Sequence, residues 1–339
     1  MVGGGSWSII FVRMLLAGDV GGTKTLLGLF ELAEPRPEVR VSHSYPTNDF
    51  PSFTAILDAF ARDVHQPFRV TASAVGVAGP VLGRTARLTN IAWDISADEV
   101  TARFGTAHVA LLNDLEAMAN SVEVLGPDDF VSLQDGHPRP DGNAVVIAAG
   151  TGLGQAYLYR IHGRLRAVPS EGGHADFAAR TDRELELVRR LRDTYGRAEV
   201  EQVLSGPGLL NLHRFTHRGG ECTVVDDLSS PDAPARVSQS ALGGRCQFCV
   251  EALRMFVSAY GAEAGNLALR GVASAGVYVG GGIAPKILGA IQSGSFMEAF
   301  RSKPPMSDLL SRMPVKVILK SDAGLLGAAV HAQSLLAST

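Results

Sequence analysis

Cysteine is scarce in this chain, with 3 among 339 residues, at Cys222, Cys246 and Cys249. A small, odd number in so long a chain argues against a disulfide framework and for a reducing compartment, so a cytoplasmic location is expected. Cys246 and Cys249 make one C-x-x-C pair without a second, and no histidine stands near them at ligand spacing. They read as two small thiols buried on a helix rather than as a zinc or redox site. Charge is also sparse: 31 basic and 34 acidic residues give a formal net charge of -3, and neither sign forms a long run. Such a composition offers no polybasic surface, and neither nucleic acid nor membrane is an expected partner. Long apolar runs are missing too. The patch Ile9-Ile10-Phe11-Val12 is too short to span a bilayer, and residues 1–13, with Gly3-Gly4-Gly5, lack the basic start and cleavage site of a secretion signal. They are read as an N-terminal extension outside the fold.

Glycine, in contrast, is abundant. The 38 glycines gather in short clusters bounded by apolar runs, the arrangement of tight turns and of backbone that approaches a ligand closely. With 46% hydrophobic residues over 339 positions, a buried mixed sheet in two compact units, or one large α/β unit with a cleft, is expected. Residues 14–20 read as a buried strand, Gly21-Gly22 as a turn and 23–32 as a returning strand. A third strand over 39–45 follows, then a helix over 52–64 whose Phe53, Ile56, Leu57 and Phe60 recur at helical spacing. A strand over 70–78, a helix over 96–104, a strand over 108–112 and a helix over 114–124 complete this half. The strand–turn–strand pattern then returns at 143–149, 150–154 and 155–161. This internal echo implies two related domains facing one another across a cleft. Further helices are expected over 183–194, 199–203, 207–215, 245–270 and 325–336, strands over 277–279 and 315–319, and an exposed loop over 219–235.

Several polar constellations sit on these elements. Asp19-Val-Gly21-Gly22-Thr23-Lys24 occupies the first turn, where glycines let main-chain N–H groups converge on an anion and Thr23 adds a hydroxyl. Asp19, at the strand end, is placed to hold a hydrated Mg2+. A bulged hairpin turn accounts for the same residues. The spacing of a Walker loop is absent, and a strand follows rather than the helix of a dinucleotide fingerprint. Gly150-Thr151-Gly152-Leu153-Gly154 is a second such turn, and Gly280-Gly281-Gly282 a third cluster at the end of a buried strand. One nucleotide site explains the three more economically than three unrelated hairpins. Leu112-Asn113-Asp114 puts an amide and a carboxylate at the carboxyl end of a strand, where ligands bind in α/β sheets. A carboxylate there can take the proton of a sugar hydroxyl as it attacks a γ-phosphate, while the amide fixes other hydroxyls. Asn and Asp are also favoured helix N-caps, and a helix is expected to begin here. Glu171-Gly172-Gly173-His174 suits a loop that presents a carboxylate and an imidazole to a polyol; a metal site or a satisfied turn would use the same residues.

Taken in order, Asp19-Val-Gly-Gly-Thr23, Leu112-Asn-Asp114, Ala149-Gly-Thr-Gly-Leu-Gly154, Glu171-Gly-Gly-His174, Leu204-Ser-Gly-Pro-Gly208, Gly280-Gly-Gly-Ile-Ala-Pro285 and Gly324-Leu-Leu-Gly327 resemble the motifs of bacterial glucokinases. The resemblance runs from Met14 to the C-terminus. It implies a two-domain actin-like ATPase fold, an α/β architecture of the ribonuclease H-like kind, with ATP and glucose in an interdomain cleft. A small domain over 14–124, completed by 318–339, and a large domain over 125–317 are its expected parts. The implied reaction moves the γ-phosphoryl of ATP to the 6-hydroxyl of glucose, the first step of glycolysis. By position, Asp114 is the expected base, and Asn113, Asp114, Glu171, His174 and Glu201 the sugar ligands. Glu201 is placed only by its distance from the Leu204-Ser-Gly-Pro motif. Asp19, Gly21, Gly22, Thr23, Gly150, Thr151 and Gly152 would hold phosphates and Mg2+, Asp19 through water, while Gly281 and Gly282 would border the adenosine. A homodimer is implied; the apolar helix 245–270 suits an interface, and burial within the chain explains it equally well.

Two departures matter. Lys24 stands where this group often has Asn; it can serve a phosphate or project into solvent. The related repressor/open-reading-frame/kinase family carries a Cys-x-Cys zinc motif soon after Glu-Gly-Gly-His, yet no cysteine lies between His174 and Cys222. That favours the glucokinase group proper. A kinase for fructose, mannose or an N-acyl hexosamine is the nearest alternative, and a non-catalytic sugar-sensing regulator the next. With fewer than about twenty residues before Asp19, a DNA-reading helix-turn-helix is not expected. ADP or polyphosphate as donor would use the same amide groups as ATP.

Overall fold

Met14-Leu-Leu-Ala17 is apolar without a break, the pattern of a strand covered on both faces, and it lies at the centre of the first sheet. The computed structural model describes residues 12–88, 91–218, 222 and 224–337. The chain divides into Met1–Leu125 with Ser321–Thr339, and Gly126–Lys320.

In the first unit, β1 (Val12–Val20) pairs antiparallel with β2 (Lys24–Glu31), and β2 with β3 (Glu38–Pro46). β1 therefore begins at Val12, inside the stretch read as an extension. After α1 (Phe53–Asp63), β4 (Phe68–Val77) runs parallel to β1. A small sheet of β5 (Val81–Leu82), β6 (Thr85–Arg87) and β7 (Asp94–Ser96) leads into α2 (Ala97–Phe104). β8 (Val109–Asn113) then joins parallel to β4 and passes directly into α3 (Asp114–Ser121). Polar signals set the helix ends. Ser52 Oγ accepts the Ala55 N–H at 3.2 Å to start α1, Ser96 and Glu99 form a capping box on α2, and Gly105, at φ 70°, ends it.

The two faces of this sheet have separate cores. Leu16, Val20, Val75 and Val77 share one with Ile56, Leu57 and Phe60 of α1 and Val100 of α2. Leu15, Ala17, Ala72 and Ala74 share the other with Ala117 of α3 and Leu325, Ala328 and Ala329 of the C-terminal helix Ala323–Leu336. Small residues predominate on that second face because the two helices approach closely. A Cβ on Gly327 would lie 1.7 Å from the Ala117 carbonyl oxygen.

The second unit repeats the plan. Its strands are β9 (Phe130–Gln134), β10 (Ala144–Ala149), β11 (Leu153–Ile161) and β12 (Arg164–Ser170). The helices α4 (Asp182–Tyr195), α5 (Gly206–Thr216), α6 (Ala233–Leu242) and α7 (Gln247–Gly271) follow. β13 (Gly276–Gly280), α8 (Leu288–Gln292), α9 (Ser295–Arg301), α10 (Ser307–Arg312) and β14 (Val315–Ile318) close it. The first sheet has the order β3-β2-β1-β4-β8 and the second β12-β11-β10-β13-β14, with β9 added beside β14. In both, two antiparallel pairings are followed by two parallel ones. The echo of two strand–turn–strand motifs is thus a repeat of whole sheets.

One further sequence expectation changes here. Residues 199–203 are not a helix: Asp176 and Glu199 form an antiparallel bridge, and the N–H groups of Val200 and Glu201 donate to the carbonyls of Ala175 and Gly173 at 3.0 and 2.9 Å. Pairing with a neighbouring segment outcompetes the local helical tendency. The apolar run of α7 is accounted for by burial inside the unit, where Phe256, Val257, Tyr260, Ala264 and Leu267 belong to the main core. Of the expected loop 219–235, residues 219–221 and 223 lie outside the described residues, and α6 begins at its end.

The helix contact at Gly327 is directly testable. Gly327→Ala should destabilise the protein by about 3 kcal/mol, because the added methyl must push two backbones apart. Urea unfolding reads this as a lower midpoint; an unchanged midpoint would contradict so close a contact.

Candidate active site

Register assembles the first group of polar residues. β1, β4 and β8 are parallel, so their carboxyl ends share one edge: Asp19 pairs with Gly76 and Gly76 with Leu112, while Val20 pairs with Val77 and Val77 with Asn113. Asp114, one residue beyond Asn113, turns back over the middle strand: a Cβ on Gly76, the register partner of Asp19, would lie 3.7 Å from the Asp114 Cα. The Asp19 carboxyl is pushed up to about 6, first by burial and then by the charge of Asp114, with Lys24 opposing both. Lys24 is exposed, yet its charge acts on Asp19. Part of the burial comes from the C-terminal helix. A Cβ on Gly324 would lie 2.7 Å from Asp19 Oδ2, so glycine is what lets the first helical turn reach the carboxylate.

Asn113 and Asp114 do cap a helix. Asn113 Oδ1 accepts the Leu115 N–H at 3.0 Å, and its Nδ2 donates to the Gly79 carbonyl at 3.4 Å. Asp114, exposed at the first position of α3, accepts the same Leu115 N–H on Oδ1 at 2.7 Å. These bonds fix both side chains at the sheet edge, so capping and ligand binding are compatible there. The adjoining glycine turn is closed by Gly21 N–H donating to the Lys24 carbonyl at 3.0 Å. Thr47, fully buried, steadies it: its Oγ1 donates to the Gly21 carbonyl at 2.8 Å and its N–H to the Thr23 carbonyl at 3.0 Å.

The second group lies in the other unit. Gly150 N–H donates to the Gly152 carbonyl at 2.8 Å, and Glu201 Oε2 accepts the Leu153 N–H at 2.8 Å. The Gly150 carbonyl in turn accepts Gly206 N–H at 2.8 Å, at the start of α5. Ser205 caps that helix by accepting Gly208 N–H at 2.9 Å and donating to the Glu201 carbonyl at 2.7 Å. The turn, Glu201 and a helix N-terminus are therefore one assembly. Gly281 belongs beside it: at φ 84°, with 2.4 Å between a built Cβ and the Ala149 carbonyl, its position admits only glycine. The Glu171–His174 loop docks on the same assembly through Glu201 N–H, which donates to the Gly173 carbonyl.

His174 is exposed, and its Nδ1 lies 3.0 Å from Oε2 of the mostly buried Glu199. That hydrogen bond raises the imidazole above its usual value; burial opposes it, and the charges of Glu201, Glu199 and Glu171 add to it. Within the first unit, then, the structure gathers Asp19, Gly21, Gly22, Thr23, Asn113 and Asp114. Within the second it gathers Gly150, Thr151, Gly152, Glu171, His174, Glu201, Gly281 and Gly282.

Three supporting residues were not singled out in the sequence. Glu199 partners His174, and its signal was the alternation Glu199-Val200-Glu201 around a buried valine, which marks an extended segment. Tyr260 is fully buried on α7; its Oη accepts the Ala149 N–H at 3.1 Å and lies 3.3 Å from the carbonyls of Ile147 and Gly280. It ties together the ends of β10 and β13, and its only sequence signal was one polar handle within an apolar helix. Thr47 had none.

The chain is similar to known proteins over nearly its whole length. The family model described as Glucokinase matches residues 16–335. The glucokinase of Nostoc sp. is 35% identical over 342 residues, covering 96% of this chain and 100% of that one. That of Synechocystis sp. is 37% identical over 344 residues, covering 94% and 97%. Among solved structures, the glucokinase from an Antarctic psychrotroph matches with a TM-score of 0.82 at 29% identity, over 95% of this chain and 99% of that one. A ROK family glucokinase from Streptomyces griseus, solved with glucose and AMPPNP, matches in fold with a TM-score of 0.66 at 24% identity, over 95% and 99%. The architecture is that of the actin-like ATPases.

Asp19 carries a testable pH signature. A carboxyl raised from 3.8 to about 6 binds its proton more tightly folded than unfolded. In the absence of Mg2+ and nucleotide, stability should therefore fall as pH rises from about 4 to about 6, by about 2 kcal/mol. Asp19→Asn should lack that fall. Urea unfolding across this window compares the two, and parallel curves would contradict the assigned electrostatics.

Proposed function

The chain belongs to the glucokinase family and phosphorylates glucose with ATP, and from that premise we propose how its residues divide the work. Asp114 is the base. It takes the proton of the attacking 6-hydroxyl as the γ-phosphoryl is transferred in line. The observation that carries this reading is the position of Asp114: an exposed carboxylate at the carboxyl edge of a parallel sheet, oriented by the Leu115 N–H, on the same edge as Asp19.

Asp19 is the residue that suits Mg2+. Its carboxyl is raised by burial and by the like charge of Asp114, and such a pair is the hard oxygen set that a divalent cation relieves. When bound, Mg2+ would neutralise charge on the phosphate oxygens. Gly21 and Gly150 turn their N–H groups inward, at the carbonyls of Lys24 and Gly152. The N–H groups of Gly22, Thr23, Thr151 and Gly152 are therefore the ones that hold phosphate oxygens, while Gly21 and Gly150 shape the turns. Gly281 and Gly282, beside the second turn, border the adenosine.

Asn113, Asp114, Glu171 and His174 bind the sugar hydroxyls. Directed hydrogen bonds of this kind recognise a neutral hexose without needing net charge. Glu201 serves twice: Oε2 holds the Leu153 N–H, and Oε1 takes a sugar hydroxyl. The unit of Met1–Leu125 with Ser321–Thr339 acts as the smaller domain and Gly126–Lys320 as the larger. No helix among the described residues is long and apolar enough to cross a membrane. The three free cysteines fit a reducing compartment, and we place the enzyme in the cytoplasm as a homodimer.

The assignment of the base is checked by steady-state kinetics. Asp114→Asn should lower kcat by about 10²- to 10⁴-fold with glucose affinity nearly unchanged. A kcat within about tenfold of the parent would rule Asp114 out as the base.

A further inference from the structure

One cluster of side chains has no part in this reaction. His213 and His217 lie one helical turn apart at the end of α5, Cys246 and Cys249 open α7, and Cys222 belongs to the connection between α5 and α6. The packing of α5 and α6 on α7 brings them together. Ligand atoms of His213, His217, Cys222 and Cys249 all lie within 4.8 Å of one another. The Sγ atoms of Cys222 and Cys249 are 3.9 Å apart, and Cys246 Sγ is 3.4 Å from His217 Nε2. The expectation that no histidine stands near Cys246-x-x-Cys249 is thereby corrected. The chain separates these residues by about thirty positions, and helix packing removes that distance.

The geometry is that of soft-metal ligands. Around a tetrahedral zinc with Zn–S of about 2.3 Å, a sulfur–sulfur edge is about 3.8 Å, close to the 3.9 Å between Cys222 and Cys249. A disulfide between Cys222 and Cys249 would need a bond of about 2.05 Å. His213 supplies an independent observation: it is 3% exposed, and neither Nδ1 nor Nε2 has a hydrogen-bond partner. A buried imidazole left so is costly unless its lone pair is taken by something other than a hydrogen bond. His217 is already oriented. Its Nδ1 lies 2.8 Å from the His213 carbonyl oxygen, which only accepts, so Nδ1 carries the proton and Nε2 the lone pair. Metal-bound histidines are commonly held in this way.

We propose that His213, His217, Cys222 and Cys249 bind one zinc ion at a structural site, with Cys246 alongside. Two nitrogens and two sulfurs fill a tetrahedron and leave no position for substrate, and that donor set selects zinc. Binding draws protons from the two thiols and fastens Cys222 and the start of α7 to the end of α5. The other end of α5 holds the second glycine turn through Gly206 N–H and the Gly150 carbonyl. The metal therefore braces the helix on which that turn rests. None of the four ligands lies in a Cys-x-Cys motif following Glu171-Gly-Gly-His174.

Elemental mass spectrometry of the full chain, purified under reducing conditions without chelator, should find about one zinc per chain. His213→Asn and Cys249→Ser should each lower this to under about a tenth. Because a buried substitution can disturb folding, the unsubstituted chain gives a second reading. Stripped of metal and loaded with Co2+, it should show the visible bands of tetrahedral cobalt and thiolate-to-cobalt charge transfer, and added Zn2+ should raise its Tm. Little zinc as purified, with no uptake of Zn2+ or Co2+ by the reduced chain, would overturn the proposal. So would a Cys222–Cys249 disulfide in protein purified without reductant.

Discussion

Asp19 and Asp114 are held on the same edge of one sheet because β1, β4 and β8 run parallel in fixed register. Each charge raises the free energy of the other, and burial adds to the load on Asp19. Much of the first unit is arranged around this conflict. Gly324 lets the C-terminal helix close over the Asp19 carboxylate, and Gly327 seats the same helix against α3, whose first residue is Asp114. Lys24 offsets part of the charge. A divalent cation with phosphate oxygens around it would complete the balance. On the assignment proposed above, Mg2+ held at Asp19 would relieve this electrostatic tension.

The second unit solves a related problem with different residues. Both glycine turns join the central strand of a sheet to an antiparallel neighbour, and both use the N–H of their first glycine to close the turn. In the first unit a buried threonine, Thr47, ties the turn down; in the second, Glu201 and the capped start of α5 do so. Tyr260 then holds β10 and β13 level where Gly281 must pass close to Ala149. The repeated topology supplies two closed glycine turns, and unrepeated side chains fasten each of them differently.

How much of this the sequence disclosed follows from the range of the interactions. Strands such as β1 and β10 were legible because unbroken apolar runs between glycine turns have few other interpretations. Asp19, Asp114 and the Glu171–His174 loop were legible because chemistry needs those groups at strand ends and turns. The segment 199–203 was misread as helix because its fate is decided by Gly173 and Ala175, about 25 residues earlier, and no local propensity records that. Glu201 is placed by motif spacing alone, and its hold on the Leu153 N–H has no signal in the sequence. The histidine–cysteine cluster was hidden for the same reason. Cys246-x-x-Cys249 looked solitary until α5 brought His217 alongside.

The two carboxylates are coupled through the charge of Asp114, and the ionisation of Asp19 reports that coupling. A carbon-detected NMR titration of the Asp19 side chain, in the ligand-free protein and in its Asp114→Asn variant, measures both of its sources. The expected midpoint is about 6 in the parent, lower in the variant but still above the usual 3.8 because burial persists. A parent midpoint near 3.8, or one that Asp114→Asn leaves unmoved, would contradict it.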